Sequence, residues 1–127
     1  MNLLLDTHTL IWYTEGSDRL SSIAKSEIRN PANTKFISIA SLWEIAIKSS
    51  RNKLELKQSF VEVIRFLQVN DMQILDVKID HLKMLLTLPY NHNDPFDRLI
   101  ISQAISESMT VISIDKHFSD YDVNVTW

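Results

Sequence analysis

An α/β fold, with a parallel sheet covered by helices on both faces, is predicted by three observations on this sequence. Short apolar runs alternate with helix-length segments, an order that calls for right-handed crossovers and parallel strands. The first run, Asn2 to Leu5, shows almost no polar alternation, as suits a strand buried on both faces. The chain has 127 residues, 45% of them apolar, which predicts one domain over 1–127 with a core of its own.

The elements follow in order. Asn2 to Leu5 is the first strand and ends on Asp6; Thr7 to Tyr13 is helical. Ser21 or Ser22 can cap a helix that runs to about Asn30 and is closed by Pro31. Lys35 to Ile39 is a second strand. From Ile39 to Arg51 the chain is apolar nearly all the way round a helical wheel, the pattern of an interior helix. Ser59 and Glu62 form a capping box before the next helix, which contains Phe60, Val63, Ile64 and Leu67. Met72 to Val77 is a third strand, and Ile79 to Leu86 a short helix stopped before Pro89. Asp94-Pro95-Phe96-Asp97 opens a helix with a cap, a proline at its first position and an acid in its first turn; it should run to about Met109. Thr110 to Ile114 is β-branched and apolar and finishes on Asp115, and Val123 to Trp127 adds an edge strand. No repeat or Pro/Gly/Ser linker divides the chain.

Composition removes several function classes. There is one glycine, Gly16, so neither a P-loop nor a dinucleotide fingerprint can be built. With no cysteine, disulfide frameworks, thiolate zinc sites and cysteine nucleophiles are absent too. Thirteen basic residues against 16 acids leave a net charge of −3, so nucleic acid would have to be held by a local basic patch. Arg51, Lys53, Lys57 and Arg98 are its candidates. The N-terminus resembles neither a signal peptide nor a membrane span, and the cytoplasm is the expected address.

The acids are the informative residues. Asp97 shares a helical face with Ile100, Ile101, Ala104 and Ile105, so its carboxylate opens an apolar stripe. A bare charge there is costly and should be neutralised by a proton, a basic partner or a metal ion, although the helix N-terminus also favours an acid. Glu44 is the one acid in an otherwise apolar helix, with Lys48 at i+4 as its ordinary partner. Asp6 and Asp115 each end an apolar strand, and in parallel sheets ligands bind beyond those ends. Convergence of the four would crowd carboxylates that repel unless a cation lies between them. An oxygen-only ligand set selects Mg2+ or Mn2+, ions that polarise a phosphate and activate water. Metal-assisted phosphodiester hydrolysis is therefore the expected reaction, with one ion or two left open.

Among the histidines, His8, His81, His92 and His117, none forms an HExxH pair, and no serine stands in a nucleophile elbow. His8 and His117 each lie two residues beyond a candidate ligand acid and are candidates for orienting substrate or water.

Asp6-Thr7-His8 after an apolar strand, Ser41 to Lys48, Asp94-Pro95-Phe96-Asp97-Arg98-Leu99-Ile100 and Ser113-Ile114-Asp115 together resemble the PIN-domain nucleases, most closely the small VapC-type toxins. The resemblance covers essentially the whole chain in the right order. It implies a three-layer α/β/α sandwich, Mg2+- or Mn2+-dependent RNA cleavage, and restraint by an antitoxin protein that covers the acidic pocket; a homodimer is also implied. Asp6, Glu44 and Asp97 match the family's principal acids and Asp115 its more variable fourth; the resemblance thus implies Asp6 and Asp97 as the direct ion ligands, with Glu44 binding ion or water and Asp115 completing the cluster. Thr7 and Ser113 fall where a hydroxyl often supports the acidic centre, and Asp94 is better explained as the helix cap. His8 stands where many members carry a small hydroxyl residue.

The expected function is thus an endoribonuclease toxin. A PIN-like protein-binding module without nuclease activity is the alternative. A phosphoacceptor receiver domain fits poorly, because the first strand ends in a single acid and Asp115 stands where a lysine is needed.

Overall fold

The computed structural model describes residues 1–52 and 56–127. Its strands are β1 (Asn2–Leu5), β2 (Thr34–Ser38), β3 (Gln73–Leu75), β4 (Thr110–Ile112) and β5 (Val125–Thr126). The helices are α1 (Thr7–Glu15), α2 (Ser22–Arg29), α3 (Ile39–Ser50), α4 (Phe60–Val69), α5 (Ile79–Thr87) and α6 (Pro95–Ser106), with a 3-10 turn at Lys116–Asp120.

All strand pairs are parallel, in the order β3-β2-β1-β4-β5. Leu5 of β1 sits opposite Ile37 on one side and Ile112 on the other. Strand residues point alternately to the two faces, so β1 serves two cores. Leu3 and Leu5 pack with Leu10, Ile28, Leu42, Ile45, Val63 and Leu67, contributed by α1 to α4. Leu4 and Val111 pack on the other face with Ile100, Ile101, Ala104 and Phe118, from α6 and the 3-10 turn. These are the three layers of the α/β/α sandwich.

Helix ends account for how a chain with one glycine turns its corners. Gly16 adopts the left-handed conformation (φ 64°) that closes α1. Equivalent positive φ angles fall to Asn52, Asp71 and Ser108, after α3, α4 and α6. Short polar side chains tolerate this region better than branched ones. Behind Ser108 the Met109 N–H returns to the Ala104 carbonyl at 2.8 Å, and behind Asp71 the Met72 N–H returns to Leu67 at 2.9 Å.

Several boundaries differ from expectation. The third strand is confined to Gln73–Leu75, because Met72 is occupied in closing α4 and the Asp76 carbonyl accepts from the Gln103 side chain at 3.3 Å. The fourth strand stops at Ile112, where its partner β1 turns into α1 and the Asp6 N–H takes the Ile112 carbonyl at 3.2 Å. The last strand is an edge strand of only Val125–Thr126; Trp127 instead packs edge-on against Trp12. Helix α3 is not buried all round, since Trp43 is 60% exposed and rests against Phe96 with ring centroids 5.3 Å apart. The capping box at α4 is half formed: Ser59 Oγ accepts from the Glu62 N–H at 3.2 Å, with no return bond from Glu62 among the described residues.

Among the described residues, no helix is long and apolar enough to cross a membrane.

Candidate active site

Strand order reverses between β1 and β4, because the chain builds toward β2 and β3 first and toward β4 and β5 afterwards. A crevice opens at such a switch point beyond the carboxyl ends of the strands. Asp6 is the first residue past β1, and Ser113 the first past β4.

Asp6 is buried and caps α1, its Oδ1 accepting from the Thr9 N–H at 2.8 Å. Its Oδ2 accepts from Ser113 Oγ at 2.5 Å. Burial pushes the Asp6 carboxyl above the usual carboxylate range, while the bonds from Ser113 and Thr9 pull the other way.

Glu44 is also buried, midway along α3. Thr7 Oγ1 lies 2.7 Å from its Oε1 and 3.0 Å from Ser41 Oγ. Thr7 has a single hydroxyl proton, which the carboxylate takes, so Ser41 supplies the proton of the second bond. Lys48 Nζ reaches Glu44 Oε2 at 2.5 Å. That bond, and then the fields of Glu44, Asp94 and Asp97, hold the Lys48 ammonium above its ordinary value, with burial working against them.

Asp97 lies on the first turn of α6, which Asp94 caps by accepting from the Phe96 and Asp97 N–H groups at 2.9 and 3.0 Å. The Asp97 carboxyl is pushed up to about 8, by burial first and then by the charges of Asp94, Glu44, Asp6 and Asp115. All four expected acids therefore act on one crevice, together with Asp94. Asp115 additionally caps the 3-10 turn, its Oδ1 accepting from the His117 N–H at 2.9 Å.

This donor set fits a hard divalent cation. Every acidic donor is oxygen, and an ion would relieve the carboxylate repulsion that, after burial, raises the Asp97 carboxyl. Among the described residues no group of three acids or histidines stands spaced to hold an ion, so an ion here would need their side chains to rotate.

Other expected residues divide. His8 is exposed and tilts against Trp12; with Trp12, Arg19 and Lys57 it lines a cavity of about 380 Å³. His117 is exposed and stacks on His92, with centroids 5.1 Å apart. Arg51 and Lys57 are exposed, as a basic patch requires, and Lys53 lies outside the described residues. Arg98 is a correction, because it is buried. Its guanidinium donates to the Pro89 carbonyl at 2.8 Å, the Tyr121 hydroxyl at 3.1 Å and the Leu88 carbonyl at 3.4 Å, and lies 3.9 Å from the Tyr90 ring centroid.

Sequence reasoning treats Lys48 only as a helix-surface partner and Asp94 only as a cap, and gives His92 no role. Spacing carries the signal for the first two, at i+4 from Glu44 and three residues before Asp97. His92 has no local signal. It is placed by Tyr121, 29 residues away.

The PIN domain family model matches residues 3–124. Among solved structures, the chain is similar to one in VapBC2 from Rickettsia felis bound to a promoter DNA fragment, with TM-score 0.75 and 20% identity over 100% of this chain and 99% of that one. It is similar to one in DNA-bound VapBC from Salmonella typhimurium, with TM-score 0.74 and 16% identity over 99% and 97% of the two chains. It is also similar to one in VapBC-5 from Mycobacterium tuberculosis, of the VapBC family of toxin-antitoxin systems, with TM-score 0.61 and 19% identity over 98% and 95%. No curated protein matches the sequence. At these identities the solved structures speak for the fold, and the family model speaks for the lineage: this chain belongs to the PIN domain family.

Proposed function

We propose that this chain, acting as one domain over residues 1–127, is a divalent-metal-dependent endoribonuclease and the toxin of a toxin-antitoxin pair. The observation that carries the reading is the gathering of Asp6, Glu44, Asp97 and Asp115 at one acidic, all-oxygen centre of a PIN domain, where burial and the neighbouring charges raise the Asp97 carboxyl. An acid held so far from its ordinary value, beside Asp6 and Glu44, is poised to exchange its proton for a cation.

Asp6 and Asp97 would hold the ion, with Glu44 and Asp115 completing the acidic centre. A bound Mg2+ or Mn2+ would supply positive charge at a phosphate and lower the pKa of water, which is what phosphodiester hydrolysis needs. The chain's own residues prepare that site. The Thr9 N–H and the Ser113 hydroxyl fix both oxygens of Asp6, while Thr7 and Lys48 fix those of Glu44. Exposed Arg51 and Lys57 supply cations for an RNA backbone in a chain whose net charge is −3. The likeness to chains of VapBC assemblies supports an antitoxin partner, and the cytoplasm is the setting proposed for the pair.

The test is cleavage of a mixed RNA pool by purified protein freed from any partner. Cutting is expected with Mg2+ or Mn2+ and should stop on adding chelator. Asp6→Asn and Asp97→Asn should each lower the rate by more than the ~10–100-fold typical of losing a supporting contact, with circular dichroism unchanged. Full activity in both variants, or in chelator, refutes the mechanism.

A further inference from the structure

His92 lies in the α5–α6 connection and is not among the acids that make the centre. Its side chain is 10% exposed, and its Nε2 is buried without a hydrogen-bond partner, 3.7 Å from Asp97 Oδ2. That separation is too long for a hydrogen bond and too short for water to stand between the groups. A polar atom so placed calls for an account.

Counting protons at Tyr121 supplies one. The Tyr121 hydroxyl oxygen accepts from the His92 backbone N–H at 3.2 Å and from Arg98 at 3.1 Å, and neither of those groups can accept in return. The third neighbour of the hydroxyl is His92 Nδ1, at 2.9 Å. The hydroxyl proton therefore goes to Nδ1, and a neutral His92 must carry its own proton on Nε2. The ring is steadied further by stacking on His117, with an interplanar angle of 8°. A single N–H is thus aimed at the acid that the site most needs to hold.

We propose that His92 is a positioning residue for Asp97: Tyr121 locks its imidazole in the Nε2–H tautomer, and that N–H holds the Asp97 carboxylate in the orientation that receives the cation. Rotation of Asp97 by less than about 1 Å at Oδ2 makes the bond, within the ordinary range of a side chain on a first helical turn. The same kind of partner commonly orients metal-binding carboxylates. This role rests on the metal-centre reading above, whereas the tautomer does not.

Two measurements test it. Long-range 1H–15N spectra of the ion-free protein should show His92 with a protonated Nε2 and an unprotonated Nδ1; the opposite tautomer overturns the proposal whatever the protein does to RNA. Mn2+ binding is then followed by titration in the wild type, His92→Phe and His92→Gln. Phenylalanine keeps the stacking ring but no N–H, and should weaken Mn2+ by about 10–100-fold. Glutamine keeps an N–H donor at the right reach and should recover most of that loss. Equal affinity in the wild type and His92→Phe overturns the role of His92 alone. A wild type that binds no Mn2+ overturns the metal-centre reading and this role with it, while leaving the tautomer assignment standing.

Discussion

Asp97 shows how one side chain can couple fold and chemistry. Its carboxyl titrates at about 8 in the folded chain against an ordinary value of 3.8, for reasons of burial and neighbouring charge. Between those values the folded state holds a proton that the unfolded state has released. The stability that Asp97 contributes to the ion-free protein is therefore fully present below the ordinary value and is lost as pH rises from about 4 to about 8. Asp6, also raised by burial, acts in the same direction. Chelator-treated protein should show a urea midpoint that falls across this window, and Asp97→Asn should remove most of the slope. Mn2+ should restore more stability at pH 8 than at pH 6, because ion and proton compete for one carboxylate. A flat profile that the substitution leaves unchanged would rule out this account of Asp97. The residue is legible in the sequence because steps of three and four along α6 land on Ile100, Ile101 and Ala104, all buried in the structure. His92 is not legible, because its placement depends on a tyrosine remote in the chain.

At the scale of elements, local rules account for most of what is seen. Asp6, Ser21, Ser38, Ser59 and Asp94 each accept a backbone N–H at the start of a helix, and such caps are typically worth about 1 kcal/mol. Strand lengths are less legible in the sequence, because a parallel strand ends where its neighbour stops pairing rather than where its own apolar run stops. The buried Arg98 joins α6 to the carbonyls of Leu88 and Pro89 and to Tyr121, and so ties the α5–α6 connection to the sheet's far face. Arg98→Lys keeps the charge but loses the planar fork, and should cost about 2 kcal/mol of unfolding free energy by urea titration. Unchanged stability with weaker, less salt-sensitive RNA binding would instead return Arg98 to the basic patch. Placing it there from sequence follows from its charge, since nothing within a few residues announces that three acceptors await it inside.

Across the whole molecule, two cores on opposite faces of β1 meet the crevice from either side. One core backs α1 and α3, which carry Asp6 at the entry of α1 and Glu44 on α3; the other backs α6 and the 3-10 turn, which carry Asp97 and follow Asp115. Phe118 is fully buried in the second core, three residues beyond Asp115. Phe118→Ala should destabilise the protein by about 3–5 kcal/mol, measured by thermal or urea unfolding. A loss below 1 kcal/mol would mean that this core does not support the crevice as described.

The order of elements, the helix caps, the parallel α/β class and the all-oxygen acidic donor set are determined by the sequence itself, since each depends on residue identity or on spacing of a few positions. Tertiary structure decided which groups meet. Ser113 reaches Asp6 across 107 positions and Thr7 reaches Glu44 across 37, while Arg98 turns inward and Tyr121 selects the His92 proton. Those contacts follow from the strand order β3-β2-β1-β4-β5, and that order comes from burying two apolar faces at once rather than from any local pattern.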